Sequence, residues 1–244
     1  MKLTPKLELK PLRIIVIYYT SSSNLSLSYQ IAWPSALMTN DLLDAYPVNL
    51  GQSKYISFLK LVYYLIFKRP VGAIFCMHSV FSNSKNITGL MTRVLKIIGN
   101  KKIYFLGNEY KLMPDKIKLI KSINPDIVFT QSYDQHIIDL YSTEVNCTVK
   151  SFTSCAIDDG QFYCNREFKD RAIDIGYRSY KSPIYLGHNE RHQIAEFFTN
   201  YCKQNDLIAD ISLEPDKRLN VEEYSHYLNS CKFQIGTEAG GDYF

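Results

Sequence analysis

The stretch LRIIVIYYTSSSN, residues 12–24, decides the fold class. Its first eight residues are apolar except Arg13, and three isoleucines and a valine form the centre. A short apolar run rich in β-branched residues and closed by a polar turn reads as a strand buried on both faces. Outward from it the pattern repeats. Strands are expected at 46–50, 73–77, 102–106, 126–130 and 148–152, with helices at 54–68, 86–98, 115–122 and 133–141. Gly99-Asn100 is a stop signal for the helix before it. Alternation of this kind is the signature of βαβ units on a parallel sheet.

The polar stretch 158–170 reads as a linker, after which a second cycle begins. Strands are expected at 173–177, 207–211 and 233–235, and helices at 190–203 and 221–230. The chain then runs through Gly236-Thr237-Glu238-Ala239-Gly240-Gly241 and stops at Phe244. The expected fold is therefore α/β, with two Rossmann-like, doubly wound parallel-sheet domains at 1–157 and 171–244. Three parallel strands leave open edges, and the last glycine-rich turn has no helix to open, so the second domain is expected to be incomplete.

Composition narrows the class. Residues 1–150 carry 18 Lys+Arg against 9 Asp+Glu, whereas residues 151–244 carry 10 against 15. A basic half suits an anionic partner: a membrane surface, a phosphate-bearing substrate or nucleic acid. Ordinary scatter of surface charge is the plainer account. Nucleic-acid binding would need basic residues interleaved with aromatics on one open face, and the acidic second half argues against it. The six cysteines form no CxxC pair, and the N-terminal segment 1–13 has no apolar core of a signal peptide. A reducing cytoplasm is the expected location, and the sequons at Asn24, Asn86 and Asn146 are read as chance. No apolar run is long enough to span a bilayer.

The turn after the first strand contains no glycine, which argues against a dinucleotide site of the G-x-G-x-x-G kind, and there is no P-loop. The second cycle is more informative. IDIGYR, residues 173–178, ends a strand on Arg178; Tyr185-Leu186-Gly187 follows, and Arg191 opens a helix. Ligands of open α/β sheets bind at the carboxyl ends of strands, and a helix N-terminus beside arginine is a natural diphosphate cradle. Gly236 and Gly240 would let backbone N–H groups approach a phosphate, with Thr237 between them and Glu238 able to accept from hydroxyls. The plainer account is a tight turn and solvated arginines. HNERH, with His188 and His192 four apart, is not the H-E-x-x-H zinc motif, because its glutamate falls one place late. No metal is expected.

Arg171, IDIGYR, Asp210-Ile211-Ser212, Arg218-Leu219 with Tyr224, Leu228 with Ser230-Cys231-Lys232, and Gly236 to Gly240 together resemble the donor-binding half of GT-B glycosyltransferases, especially the bacterial CgeB-like and family 4-like enzymes. Leu106-Gly107-Asn108-Glu109-Tyr110 with Met113-Pro114 resembles the same family in the first domain. The resemblance implies a nucleotide-sugar donor in the second domain and no cofactor or metal. Arg178 and Arg191 would contact the diphosphate, the loop at Arg218 would lie near the nucleotide, and Gly187, Gly236, Thr237, Glu238 and Gly240 would complete the donor site. The first domain would hold a glycan or lipid-linked acceptor among Ser21, Ser22, His78, Asn108, Glu109, Gln131 and Ser132. His78 or Glu109 would be the base of an inverting reaction, and Glu238 would stand at the donor. The structural alternatives are a satisfied histidine beside a buried strand and a turn carboxylate before a helix.

Segment 54–68 is apolar around most of its helical circumference and is flanked or interrupted by Lys54, Lys60, Lys68 and Arg69. It reads either as a helix buried between the sheet and its neighbours or as an interfacial helix for anionic lipid. The expected function is thus a glycosyltransferase of surface polysaccharide or glycolipid synthesis, cytoplasmic and associated with the membrane face. The alternative is a non-catalytic sugar- or nucleotide-binding module of the same fold.

Overall fold

The computed structural model describes residues 10–21, 28–152, 159–181 and 189–236. The chain divides into two compact units: of the described residues, 10–21 and 29–152 belong to the first, and 159–181 and 189–236 to the second.

The first unit is a six-stranded parallel sheet in the order β2-β1-β3-β4-β5-β6. Its strands are β1 (Leu12–Tyr18), β2 (Leu43–Asn49), β3 (Ala73–Cys76), β4 (Lys101–Phe105), β5 (Ile127–Thr130) and β6 (Thr148–Ser151). The helices are α1 (Ser28–Met38), α2 (Lys54–Phe67), α3 (Gly89–Ile97), α4 (Met113–Ile123) and α5 (Gln135–Val145). β1 pairs along its whole length with β2, from Leu12 with Leu43 to Tyr18 with Asn49, and on its other side with β3. Ile14, Ile15, Val16 and Ile17 are all fully buried. Ile15 and Ile17 point into the core shared with α2 to α5, through Leu61, Met91, Leu95, Leu119, Ile120, Tyr141 and Val145. Ile14 and Val16 point the other way, to Met77, Phe105 and the Trp33 and Leu37 side chains of α1. Helices therefore cover both faces, as the expected doubly wound class requires.

All six expected strands are present, with bounds shifted by one to three residues. β2 starts earlier than expected and carries Pro47 in its middle. Its place at the edge of the sheet explains the tolerance, since proline has no N–H to give a second neighbour. The helix α1 was not expected. Pro34 lies inside it, and its apolar residues are not gathered on one side of the helix. A buried cation supports the end of α3. Lys102 Nζ donates to the carbonyls of Leu95 and Ile98 at the end of α3 (3.1 and 3.3 Å), where a cation suits the helix dipole.

The second unit contains a three-stranded parallel sheet in the order β8-β7-β9, built from β7 (Ile173–Arg178), β8 (Ala209–Ser212) and β9 (Cys231–Gln234). Helices α6 (Glu190–Gln204) and α7 (Val221–Ser230) connect them. Right-handed crossovers in this order set α6 and α7 on opposite faces of the sheet. Both units thus begin with the same 2-1-3 strand order, which creates a switch point between the first and third strands of each.

Residues 159–170, expected as a linker, are bonded to α7. Ser225 Oγ donates to the Gln161 carbonyl (2.7 Å), Asn229 Nδ2 to the Tyr163 carbonyl (2.9 Å), and Asn165 N–H to Asn229 Oδ1 (2.9 Å). The segment therefore belongs to the second unit and is no free tether.

Gly176 sits where β7, β9 and α7 converge. A Cβ there would stand 2.5 Å from Cys231 Sγ and 2.6 Å from both Gln234 Nε2 and Tyr227 Oη. Gly176→Ala should destabilise the second unit by about 1–3 kcal/mol through overpacking. Trp33 is the single tryptophan and lies in the first unit. The variant should lower the urea midpoint seen by far-UV circular dichroism and leave the Trp33 fluorescence midpoint in place. Coincident loss in both signals would contradict this.

Candidate functional site

The carboxyl ends of β7, β8 and β9 open into a cleft of ≈ 520 Å³ in the second unit. A volume of this order suits a nucleotide-sized ligand. β7 delivers Arg178, α6 delivers Arg191 from its first turn, and the segment leading to α7 delivers Lys217 and Arg218. Gly236 lines the same cleft just past the end of β9. Among the described lining residues there are four cations and one carboxylate, Glu214, so the cleft favours anions.

The two arginines of the floor are held by aromatic faces. The Arg191 guanidinium lies 4.3 Å from the centre of the Tyr180 ring, and the Arg178 guanidinium 4.7 Å from that of Tyr227. Cation–π contact of this kind fixes a planar guanidinium without using its N–H groups. Tyr227 is itself fixed, because its hydroxyl donates to the Asp210 carbonyl (2.7 Å). Arg191 is 4% exposed, and its Nε and Nη1 make no hydrogen bond among the described residues. Arg178 gives Nη2 to the Asp210 carboxylate, while its Nε and Nη1 are likewise without a partner. Buried donors left unmade are costly, and a buried cation more so. Arg191 also lies at the positive end of α6, where a further positive charge is disfavoured and only Glu190 offsets it within that turn. An anion entering the cleft would bring negative charge and acceptor oxygens to these groups.

At the other end of the cleft, Asn220 caps α7. Its Oδ1 accepts from Glu223 N–H (2.9 Å) and Glu223 Oε2 accepts from Asn220 N–H (2.8 Å). This reciprocal box fixes the loop that carries Arg218.

Arg178, Arg191, Arg218 and Gly236 were expected in one site and do line one cleft. Gly187, Thr237, Glu238 and Gly240 lie outside the described residues. The sequence reading missed Asp210 as the partner of Arg178, and Tyr180 and Tyr227 as the platforms. Asp210 pairs in register with Gly176 and lies diagonally from Arg178, a relation that only strand register reveals. Tyr180 follows two residues after Arg178, so its place beside the strand end was open to inference.

In the first unit His78, Asn108, Glu109, Gln131 and Ser132 lie at the carboxyl ends of β3, β4 and β5, Ser21 follows β1, and Ser22 lies outside the described residues. Glu109 accepts from Thr130 Oγ1 (2.7 Å) and from Gln131 N–H (2.6 Å), using both carboxylate oxygens. Fully buried Lys116 donates to the carbonyls of Gly107 and Asn108, both at 2.7 Å. Asn108 adopts a left-handed conformation at φ 50° and donates to Ser82 Oγ (2.7 Å). Glu109 and Lys116 thus brace the loop after β4 from two sides. Burial holds the Lys116 ammonium down to about 8, and nearby Glu109 partly opposes that shift. His78 forms a 3-10 turn after β3 and is only 3% exposed, with Trp33 edge-on at 5.0 Å. Burial, and then the charge of Lys116, lowers its pKa to about 4. His78 is therefore neutral at pH 7 and a weak base.

No protein-family model, curated protein or solved structure matches the chain.

The His78 shift has a sign that can be measured. Between pH 6.5 and about 4 the unfolded chain binds a proton at this position and the folded chain does not. Its contribution to stability is fully present above pH 6.5 and is lost as pH falls through 4, with a span of about 3 kcal/mol. Urea melts of wild type and His78→Gln across this range should show a steeper acid loss in the wild type. Parallel pH profiles would refute the assignment.

Proposed function

We propose that this chain is a glycosyltransferase, and that the cleft of the second unit receives the diphosphate of a nucleotide-sugar donor. The observation that carries the reading is Arg191: a buried guanidinium, stacked on Tyr180, with Nε and Nη1 unpaired among the described residues and lining a cleft of net positive charge. Such a group is arranged for a ligand that brings negative charge and acceptor oxygens. The resemblance of residues 171–241 to donor-binding halves supports a nucleotide-sugar diphosphate as that ligand.

In this reading an acceptor hydroxyl oxygen bonds to the anomeric carbon of the donor sugar as that carbon's bond to the phosphate oxygen breaks. The hydroxyl proton passes to a base or to the departing phosphate. The leaving diphosphate gains charge, and Arg178, Arg191 and the N-terminus of α6 are disposed to stabilise it. Asp210 keeps Arg178 in position while the cleft is without anion. The first unit carries a glycan or lipid-linked acceptor, and its loop after β4, braced by Glu109 and Lys116, supplies a fixed surface for it. His78, neutral at pH 7, is a candidate proton acceptor of low basicity beside that loop.

Removing the Arg191 charge separates binding from stability. Arg191→Met should raise the thermal midpoint by about 2–4 °C for each kcal/mol of relieved burial penalty. Nucleoside diphosphates at about 100 times their Kd should stabilise the wild type by about 2.7 kcal/mol and leave Arg191→Met unprotected. Equal protection of both proteins would remove Arg191 from the ligand site. A panel of nucleotide sugars with released diphosphate as the readout then tests turnover. Protection without release would favour a binding module over an enzyme.

A further inference from the structure

Helix α2 has two apolar sides, and the first unit uses only one. Ser57 and Leu61 are buried, with Phe58, Tyr64 and Leu65 packed against the core. The opposite side carries Tyr55, Ile56, Leu59, Tyr63, Ile66 and Phe67, all exposed. Tyr55 is 83% exposed, Phe67 68% and Leu59 65%, so these side chains stand in solvent. At 3.6 residues per turn the six fall in a sector of about 120°, and no charged residue lies within it. Charges sit around the sector instead. Lys54 and Arg69 are exposed at its two ends, and Lys60 flanks it.

The surrounding sequence has one sign. From Ala45 to Asn108 there are nine Lys+Arg and no Asp or Glu. α3 belongs to the same helical layer, since Met91 and Leu95 share the core cluster of Leu61. It exposes Leu90 and Ile97 together with Arg93 and Lys96. No described helix is long and apolar enough to cross a membrane.

We infer that the α2 face docks flat on an anionic lipid bilayer, with its aromatic and aliphatic side chains in the interface and the surrounding cations at the headgroups. An apolar face rimmed by cations, with tyrosines among its members, is the chemistry of an interfacial helix. Charge decides between this partner and a second copy of the chain. A two-fold contact would place this cationic region against itself, and like charges facing each other oppose association. An anionic surface complements the cations that α2 and α3 present, Lys54, Lys60, Arg69, Arg93 and Lys96, whereas Lys102 is buried and Lys101 is paired with Asp126. The inference is independent of the donor cleft, because it rests on another unit and other residues.

The test uses the full chain and sedimentation with vesicles of phosphatidylcholine, with and without about one third phosphatidylglycerol. The wild type should pellet with the anionic vesicles at low salt, stay in solution with the neutral ones, and be released at about 0.5 M salt, where screening is within a few ångströms. The variant Leu59→Ser/Tyr63→Ser/Ile66→Ser should lose binding by at least about tenfold, as should Lys54→Gln/Lys60→Gln/Arg69→Gln. Because the three apolar positions are exposed, the Trp33 unfolding midpoint should be unchanged, and this certifies the fold. Wild type that stays in the supernatant overturns the inference, as does unchanged binding by the serine variant. A wild-type dimer that the serine variant converts to monomer, without vesicle binding, would assign the face to a second copy instead.

Discussion

The centre of β1, Ile14 to Ile17, has no face that water can reach, and the first unit is organised by that constraint. Four consecutive side chains, Ile14 to Ile17, alternate between two cores and are fully buried in both. A strand of this kind cannot lie at an edge or face solvent. It must have neighbours on both sides and helices above and below. The 2-1-3 order provides them: β2 and β3 flank β1, and the crossovers leave α1 on one face and α2 on the other. Burying this one strand therefore fixes where the connection reverses direction. The positions of His78, Glu109 and Thr130 follow from that, because they stand at the carboxyl ends of β3 and of the strands added beyond it.

The two units treat buried positive charge differently. Lys116 is fully buried and gives hydrogen bonds to two carbonyls at 2.7 Å, with Glu109 near enough to offset part of its desolvation. Its ammonium is answered within the fold, so it serves as a structural brace. Arg191 is almost as buried, and among the described residues it meets the Tyr180 ring face while its Nε and Nη1 have no hydrogen-bond partner. Fold stability by itself does not account for that arrangement, since an apolar side chain of similar size would fill the space at lower cost. The difference between a completed and an uncompleted polar group is what separates a scaffold residue from a candidate ligand contact here.

Much of this was legible from the sequence, for reasons that differ by element. The strands announced themselves because a strand buried on both faces has a continuous apolar run, and the bounds of α7 were recoverable from Asn220 at its cap and Glu223 three residues on. α1 was not legible: Pro34 interrupts it, and it packs through a few large side chains such as Trp33 and Leu37 without a periodic stripe. Arg178 and Arg191 were legible as residues at a strand end and a helix start. The Tyr227 support of Arg178 and the Asp210 contact were not, because they depend on how β7 registers with β8 and on where α7 crosses the sheet. The outward side of α2 was ambiguous for a simpler reason. An apolar helix looks the same in sequence whether or not a neighbour covers it.

The edges of the first sheet carry a last consequence. At one edge β2 contains Pro47, which has no amide hydrogen to offer an incoming chain. At the other, β6 is four residues long and carries Lys150. Short, charged or proline-bearing borders resist the sideways growth of sheets that leads to aggregation. Both borders of the first sheet thereby disfavour a partner that would arrive as an extra strand.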